Sequence, residues 1–381
     1  MIIPAYKPTY VYGGPIEAVA NLAESLVAIG HEVTVYTTTA NGKKELDVEI
    51  GKEYNVENVK VTYFRRIIGG HNHLSPSLLR RLSRVVNRYD VIHIHSWWNL
   101  VTMPAAWICR SKKIMPFISP RGTLTEYTFN HHRTLPKHIV HSLAGRKLLE
   151  QSILLFTSTR EKEEALKFIR PRESFVLPNI HQFPPSQKRL YREQPYLKII
   201  YLGRIDPAKN LEFLLRMVTH HLKIPYQLII AGDGDPKYKQ QLMESCMGLD
   251  QIQWIGHIEG MEKYERLADS DIAILPSHTE NYGNVVLESL SQGTPVLISP
   301  NVGLKDFVTS FSLGWVAETK EEKWAEILEG VWKDKTLLYD IQLRALERMK
   351  KEFDPRENAM EYIKVYSKHI KKQALPRPLT V

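Results

Sequence analysis

Residues 279–290 read TENYGNVVLESL and lie where a strand-like apolar run is followed by a loop and then a helical pattern. Before them, residues 271–276 (DIAILP) form a short apolar run that is typical of a buried strand. From about Asn284 the residues are apolar on most faces, which favours a short buried helix, and Gly293 is a plausible C-cap. Strand, loop and helix in this order predict an α/β fold with a ligand site at the loop.

This loop and helix combine features that suit a polar ligand. The N-terminus of a buried helix offers backbone N–H groups and the positive end of a dipole. Gly283 would let a ligand approach the backbone closely. Glu280 precedes the helix and Glu288 lies within it, so two carboxylates could accept hydrogen bonds from hydroxyls at two points of one elongated ligand, such as a sugar. The alternative is a solvated loop glutamate and a helix glutamate with an ion-pair partner.

A second loop, residues 203–210 (GRIDPAKN), follows another apolar run and carries two cations. Gly203 permits a sharp exit from the strand. The guanidinium fork of Arg204 suits two phosphate oxygens, and Lys209 adds a point charge. Asn210 is predicted to cap the helix that follows. Together the two cations and a helix N-terminus could neutralise a diphosphate, although cations on a surface loop are the simpler alternative.

The E-x7-E spacing of Glu280 and Glu288, together with the loop at residues 203–210, resembles the signatures of retaining GT-B glycosyltransferases of family 4 (glycosyl transferases group 1). The resemblance implies two Rossmann-like domains that face a central cleft and a C-terminal helix that crosses back to the first domain. It further implies transfer of a sugar from a nucleotide-diphosphate donor to an acceptor hydroxyl, with retention at the anomeric carbon. The resembled family needs no metal ion or other cofactor for this chemistry.

The resemblance also implies roles for individual residues. Arg204 and Lys209 would stabilise the leaving diphosphate, and Glu280 would hold hydroxyls of the donor sugar, so these three are the catalytic candidates. Glu288 would hold the ribose hydroxyls. The other candidates for substrate binding are Gly13, Gly14, Arg121, Gly203, Gly256, His257, Tyr282, Gly283, Asn284 and Val285.

Some of these candidates lie outside the two signature loops. Gly13 and Gly14 precede a predicted helix at residues 15–29, and by resemblance they face the donor diphosphate, although a tight turn explains them equally well. Gly256 and His257 end a predicted strand and would lie beside the nucleotide base.

The stretch 117–123 (FISPRGT) ends another predicted strand. Many members of the resembled family carry a histidine around this loop, where this chain has Arg121. No catalytic histidine is therefore assigned. Arg121 is interpreted as a contact to a phosphate or to an acidic acceptor.

The organisation expected of the chain has two domains. The expected segments are an acceptor-binding Rossmann-like domain at 1–183, a linker at 184–196, a nucleotide-sugar-binding Rossmann-like domain at 197–354, a helix at 355–373 that packs back on the first domain, and a flexible tail at 374–381. The first apolar run, residues 1–4, is short for a central strand, so we also expect that a few N-terminal residues are missing.

Composition narrows the possible partners and compartment. The chain has 381 residues and a formal net charge of +9, and 43% of its residues are hydrophobic. Nucleic acid is not expected as a partner because no nucleic-acid-binding motif is present. Without an apolar membrane span or a signal peptide, a cytoplasmic location is expected. Arg80, Arg81 and Arg84 lie on a predicted amphipathic helix at residues 75–89, which is either a solvated face or a peripheral contact with the anionic inner face of the membrane.

Two motifs resemble metal sites, and we expect neither to bind a metal. His93 and His95 point to one face of a predicted strand, but no third ligand lies nearby in the sequence. Asp233 and Asp235 imitate a D-x-D motif, yet they fall in a tight glycine turn. The cysteines, Cys109 and Cys246, lie too far apart in the sequence to indicate a disulfide framework or a metal motif.

The function predicted from these observations is that of a retaining glycosyltransferase. Its donor would be a nucleotide-diphosphate sugar, and its acceptor a saccharide or lipid-linked saccharide in the assembly of a cell-surface polysaccharide or glycan. A sugar-nucleotide epimerase with the same GT-B layout and a non-catalytic nucleotide-binding protein are the alternatives. A dehydrogenase that binds NAD is disfavoured because the first loop lacks G-x-G-x-x-G. The sequence does not identify the sugar, the base, the acceptor or the oligomeric state.

Overall fold

A computed structural model describes residues 1–68, 73–126, 128, 144–186 and 194–370. Its chain divides into two units: Met1–Gln182 with Asp354–Val381 forms the first unit, and Phe183–Phe353 forms the second. The flexible tail expected at residues 374–381 lies outside the described residues, as do residues 371–373 of the predicted last helix and most of the predicted linker.

The first unit is built on a mostly parallel sheet. Its strands are β1 (Thr34–Thr38), β2 (Ala40–Asn41), β3 (Lys44–Glu45), β4 (Glu53–Val56), β5 (Val59–Phe64), β6 (His93–His95), β7 (Phe117–Ser119), β8 (Ile153–Phe156) and β9 (Glu173–Val176). Its helices are α1 (Gly14–Ala28), α2 (Pro76–Val85), α3 (Thr102–Ser111), α4 (Arg146–Glu150), α5 (Thr159–Leu166) and the C-terminal helix (Pro355–His369). The strands run in the orders β1-β5-β4 and β6-β7-β8-β9, and only β4 pairs antiparallel within them.

The short N-terminal run joins these two groups of strands. Ile2 forms parallel bridges to Tyr36 in β1 and to Ile94 in β6. Its N–H donates to the carbonyl of His93 at 2.9 Å, and its carbonyl accepts from the N–H of His95 at 2.9 Å. The run therefore occupies the central position of the sheet, and the carboxyl ends of the parallel strands around it meet at one edge.

The C-terminal helix belongs to the core of the first unit. Ala359, Tyr362, Val365 and Tyr366 are buried and pack with the apolar face of α1 and with the sheet. The hydroxyl of Tyr362 donates to the carbonyl of Pro178 at 3.2 Å. The prediction that the last helix returns to the first domain is confirmed, because its apolar stripe has this core as its partner.

The second unit contains a fully parallel sheet. Its strands are β10 (Leu197–Leu202), β11 (Tyr226–Ala231), β12 (Ile252–Gly256), β13 (Ile272–Leu275), β14 (Val296–Ile298) and β15 (Gly314–Val316). Its helices are α6 (Leu211–Arg216), α7 (Pro236–Ser245), α8 (Gly260–Ala268), α9 (Asn284–Ser291), α10 (Lys305–Ser310), α11 (Glu321–Lys333) and α12 (Thr336–Glu352). The strand order is β12-β11-β10-β13-β14-β15. This is the doubly wound order, in which ligands bind beside the switch point between the first and fourth strands, here β10 and β13.

Burial on both faces explains why the strands of the second unit are continuous apolar runs. β13 is buried along its whole length, and so are most positions of β10. Helix α9 is also buried along most of its length, including its apolar residues Val286, Leu287 and Leu290. Among the residues that the structure describes, no helix has the length and apolar character that crossing a bilayer requires.

Candidate active site

The two signature loops of the sequence lie side by side in the second unit. One follows β10, the other follows β13, and these strands are parallel neighbours at the switch point. The N–H of His278 donates to the carbonyl of Ala208 at 2.9 Å, and the side-chain amide of Asn210 donates to the carbonyl of Pro276 at 3.2 Å. Two segments about 70 residues apart in the sequence therefore form one surface at the carboxyl edge of the sheet.

The loop after β10 is held by its own polar groups. The Tyr201 hydroxyl donates to the carbonyl of Arg204 at 2.7 Å, and the Asp206 carboxylate accepts from the N–H of Ala208 at 2.9 Å. Asn210 has a left-handed backbone with φ 57°, and its side chain does not cap α6. The predicted capping role of Asn210 is therefore wrong: its amide ties the two loops together instead.

The Arg204 side chain is exposed and makes no hydrogen bond or ion pair with any residue that the structure describes. The loop fixes its backbone through Tyr201, while its guanidinium stays open to a ligand. A guanidinium with all five N–H donors available can bind two oxygens of a phosphate at once.

Lys209 and Glu280 form an ion pair across the two loops. Both side chains are largely buried, with 15% and 19% of their surface exposed. The backbone of Glu280 is fixed as well, because its N–H donates to the Asn301 carbonyl at 3.1 Å and its carbonyl accepts from the Gly303 N–H at 3.0 Å. A carboxylate offers about four acceptor positions, so Glu280 can accept from ligand hydroxyls while Lys209 orients it.

Glu288 is buried on α9 and pairs with Lys263 of α8 at 2.9 Å. Only 8% of the glutamate side chain and 13% of the lysine side chain are exposed. This is the ion-pair partner that the alternative interpretation of the helix glutamate required. Lys263 belongs to neither signature loop and is not among the residues predicted for the site, although it lies four positions before the buried Leu267 and so shares the inner face of its helix.

Helix α9 begins immediately after Gly283, whose φ is 93°. A Cβ at this position would lie 2.9 Å from Cγ1 of Val302, so glycine is needed for both its backbone conformation and the space. Tyr282 is buried, whereas Asn284 and Val285 are half-buried at the start of the helix. The first N–H groups of any helix have no carbonyl one turn earlier, so this end can donate to a ligand oxygen.

The other candidate of the second unit, Gly256–His257, lies at the end of β12. β12 is separated from β10 by β11, so this candidate shares the carboxyl edge but not the switch point. His257 is exposed, and its Nε2 lies 3.6 Å from Oε2 of Glu259.

Gly13, Gly14 and Arg121 belong to the first unit. Gly13 immediately precedes α1 and has φ 71°, and α1 begins at Gly14. Arg121 follows β7 and has the unusual φ of 53°. Gly13 and Gly14 come after the N-terminal run and Arg121 comes after β7, with β6 between the run and β7 in the sheet. Both loops follow carboxyl ends of parallel segments of this sheet.

Arg121 belongs to a buried polar cluster at this edge. Its Nε donates to Nδ1 of His95 at 3.3 Å, and its Nη1 donates to Oδ1 of Asn179 at 2.7 Å. His93 contacts the hydroxyls of Tyr366 and Ser119, each at 2.8 Å. The rings of His93 and His95 have centroids 3.8 Å apart, so the prediction that they share a face is confirmed.

Burial is the main cause that lowers the pKa of both histidines well below the ordinary value, and nearby Arg121 lowers the pKa of each further. Both rings are therefore neutral at neutral pH. Burial also lowers the pKa of Arg121, against the opposing effects of Tyr362, Glu161 and Tyr366.

These two histidines predict a stability that is lost in acid. In the unfolded chain each has a pKa of about 6.5. Because the folded pKa is lower, the unfolded state binds more protons below that pH, and the free energy of unfolding falls by up to about 1.4 kcal/mol per pH unit per histidine. Denaturant unfolding of the protein and of His95→Asn between about pH 7.5 and 5.5 checks this. The variant should show the shallower pH dependence, and parallel curves would contradict the prediction.

The D-x-D residues have other partners. Asp233 pairs with Lys239 at 2.6 Å, and the Asp235 carboxylate accepts from the N–H groups of Lys237 and Tyr238 at the start of α7. Within the described ranges, no group of three or more His, Cys, Asp or Glu side chains is arranged to hold a metal ion.

Comparison with known proteins gives matches in both units. The profile of Glycosyltransferase Family 4 matches residues 12–180, and that of glycosyl transferases group 1 matches residues 184–352. An uncharacterized glycosyltransferase of Methanocaldococcus jannaschii is 25% identical over 333 residues, which make up 81% of this chain and 82% of that protein.

Solved structures extend the likeness to the fold. Anabaena HepE, in complex with UDP and glucose, has a TM-score of 0.71 at 16% identity, covering 96% of this chain and 98% of its own. WaaG, a glycosyltransferase involved in lipopolysaccharide biosynthesis, has a TM-score of 0.70 at 15% identity, with the same coverage of 96% and 98%. With its two parallel α/β units and its two matched profiles, this chain belongs to the family 4 (group 1) glycosyltransferases and has the GT-B fold.

Proposed function

We propose that this glycosyltransferase moves a sugar from a nucleotide-diphosphate donor to an acceptor hydroxyl, with retention at the anomeric carbon. The observation that carries the proposal is the meeting of Arg204, Lys209, Glu280 and the N-terminus of α9 at one switch point. Arg204 and the helix dipole present positive charge there, beside the Lys209–Glu280 pair, whose carboxylate can also accept hydrogen bonds from sugar hydroxyls.

The chemical roles follow from charge. When the bond from the sugar to the diphosphate breaks, negative charge grows on the leaving phosphate, and Arg204 and Lys209 stabilise it. Glu280, oriented by Lys209, holds the donor sugar. In this proposal the side-chain cations supply the positive charge, and the enzyme needs no divalent metal. Support for the donor class comes from HepE, which has been solved with UDP and glucose.

The Lys263–Glu288 pair gives this proposal a test of nucleotide binding. Lys263 orients the Glu288 carboxylate through their ion pair. If Glu288 accepts hydrogen bonds from the ribose, Lys263→Met should weaken those bonds and raise both Kd and KM for the donor by about 10-fold or more, because a hydrogen bond to a charged group contributes about 1.5–3 kcal/mol. Lys263 touches no part of the transferred sugar in the proposal, so kcat at saturating donor should change little.

Lys263→Arg keeps the cation and should retain most of the affinity. Lys239→Met is the matched control, because it removes a lysine that pairs with an aspartate elsewhere in the same unit. An unchanged donor Kd in Lys263→Met would contradict the assignment of Glu288 to the ribose.

We propose an acceptor at the inner face of the cytoplasmic membrane, a saccharide or lipid-linked saccharide in cell-surface glycan assembly. Helix α2 buries Leu78, Leu82 and Val85 and exposes Arg80, Arg81 and Arg84. On α3, which packs beside α2, Trp107 is 62% exposed. Exposed arginines on one helix and an exposed tryptophan on the helix packed against it suit an anionic lipid surface. The part of WaaG in lipopolysaccharide biosynthesis is consistent with such an acceptor.

Reversal of the α2 charges tests the membrane contact. The triple variant Arg80→Glu, Arg81→Glu, Arg84→Glu should lose most binding to vesicles that contain phosphatidylglycerol, since each basic residue near an anionic surface contributes about 1 kcal/mol. The control is Arg348→Glu, Lys350→Glu, Lys351→Glu on α12 of the second unit. Equal co-sedimentation of the α2 variant and the unmodified protein would remove this part of the proposal.

A thermal-shift titration tests the donor. UDP, GDP, ADP and NAD are compared, each with magnesium and with a chelator. A nucleotide at 100 times its Kd should raise the free energy of unfolding by about 2.7 kcal/mol. We expect one nucleoside diphosphate to stabilise the protein without magnesium and Arg204→Ala to reduce the effect, because the free diphosphate carries the full charge that Arg204 contacts. Stabilisation by NAD alone, or by magnesium-bound nucleotide alone, would contradict the proposal. The anomeric configuration of the product, read by NMR, tests retention separately.

A further inference from the structure

The guanidinium of Arg121 is held by neutral groups. Its Nε contacts a neutral histidine ring, and its Nη1 contacts the amide oxygen of Asn179. Arg121 is half-buried, yet it forms no ion pair with any residue in the described ranges. A cation removed from water is costly unless an anion compensates it, and the part of the chain that the structure describes supplies none at ion-pairing distance.

Glu161 carries a carboxylate that acts against the lowering of the Arg121 pKa by burial, but both of its oxygens already accept hydrogen bonds within the protein. Glu161 is almost fully buried, and its carboxylate attracts Arg121 without pairing with it. One of its oxygens accepts from the N–H of Gly122 at 2.6 Å, and the other accepts from the N–H and the hydroxyl of Thr157 at 2.6 and 2.8 Å. Glu161 therefore stabilises the loop that carries Arg121 and does not serve as its counter-ion.

Two further N–H donors of the cluster lack acceptors. Nδ1 of His95 accepts from Arg121, so in the neutral ring the proton lies on Nε2. That Nε2 is buried and has no partner among the residues that the structure describes. Nη2 of Arg121 likewise makes no hydrogen bond within the described residues, and it is not a buried atom. Both unmet groups are donors, so the complementary ligand is an acceptor.

We propose that Arg121 and His95 form a binding site for an anionic oxygen group of a substrate, a phosphate or a carboxylate. The location of the cluster supports a ligand site, since it lies at the carboxyl ends of β6 and β7, where ligands bind in parallel sheets. The left-handed backbone of Arg121 shows that its position is imposed by the surrounding structure, because a non-glycine residue is held in that conformation only when its surroundings require it. The proposed transferase function enters only as the source of the anion, which is either the donor diphosphate or an acidic acceptor.

Inorganic phosphate is the probe, and the background is Arg204→Ala, which removes the phosphate ligand proposed for the second unit. Calorimetric titration should detect phosphate binding to Arg204→Ala. Affinity should fall at least 10-fold when Arg121→Gln is added and recover in part with Arg121→Lys, which keeps the charge without the fork. Arg146→Gln is the control, because it removes an exposed arginine of the same unit.

Asn179→Asp provides a second variant that leaves Arg121 in place. The new carboxylate would lie where Oδ1 is now 2.7 Å from Nη1, so it supplies an internal counter-ion and should weaken phosphate binding as Arg121→Gln does. Equal phosphate affinity in Arg204→Ala and in the double variants, or no binding in any of them, would overturn the site. Those results would leave the proposed transferase untouched, because UDP binding and turnover report on it separately.

A titration with UDP in the otherwise unmodified protein identifies the source of the anion. If Arg121→Gln weakens UDP binding at least 5-fold, the site takes the donor diphosphate. If UDP affinity is unchanged while phosphate affinity is lost, the site takes an anionic group of the acceptor. In that case an acceptor analogue that carries a phosphate should lose its advantage over the neutral sugar in the Arg121→Gln enzyme.

Discussion

Arg204→Ala is expected to lower kcat by roughly 10²–10³-fold, the loss that follows removal of one preorganised group that stabilises charge in a transition state. The reason is that the guanidinium stands open at the switch point, with its loop fixed by the Tyr201 hydroxyl. Its interaction with the leaving phosphate strengthens as charge develops, so the loss should fall on kcat more than on KM.

The expected loss of kcat in Arg204→Ala can be distinguished from misfolding by measuring the free energy of unfolding. The Arg204 side chain is exposed and without partners among the described residues, so its removal should change the free energy of unfolding by no more than about 0.5 kcal/mol. Arg204→Lys should recover part of the rate, since it keeps the charge and loses the fork. Arg216→Ala is the matched control, because Arg216 is an exposed arginine of the same unit that pairs with Glu321. A rate for Arg204→Ala within twofold of the unmodified enzyme would remove Arg204 from the mechanism.

Glu280→Gln and Lys209→Met are each expected to reduce kcat/KM by about 10- to 150-fold, as hydrogen bonds to charged groups contribute about 1.5–3 kcal/mol. The two side chains pair across the loops in a largely buried position. Each single variant therefore removes one ligand contact and also leaves its former partner without compensation.

The double variant tests whether the pair acts as a unit. Because each residue orients the other, the loss in Lys209→Met, Glu280→Gln should be smaller than the sum of the single losses, with a coupling energy of about 0.5–3 kcal/mol. Steady-state kinetics of the four proteins provide the measurement. Strictly additive losses would show that Lys209 and Glu280 meet the substrate independently and that their contact in the structure does not matter for catalysis.

The sequence predicted the strand ends that carry the candidate site better than the contacts between the side chains there. An apolar run followed by a glycine- or carboxylate-containing loop indicates a strand end, and strand ends of a parallel sheet share one edge. This placed the loops at Gly203 and Gly283 correctly. The family resemblance also implied that the last helix returns to the first domain, and the helix packs into the core of the first unit.

Pairings between distant side chains could not be predicted. Lys209 was interpreted as a phosphate ligand and Glu280 as a sugar ligand, yet they contact each other. Lys263 was not considered, although it pairs with Glu288. Asn210 was expected to cap a helix, but its amide reaches the Pro276 carbonyl across the strand interface. In each case the local pattern indicated a charged or polar side chain at the loop or helix, and only the fold supplied its contact within the protein.

By itself, then, the sequence determined the α/β pattern and the residue types at the strand ends, because these depend on local periodicity, and its two signature loops indicated the family by resemblance. Tertiary structure alone decided which charges are compensated. It brings Tyr366 to His93 across 273 positions, pairs Glu280 and Glu288 with lysines, and leaves Arg121 with neutral partners. The physical reason is that electrostatic energy depends on distance and burial, and both are set only when strands distant in sequence become neighbours.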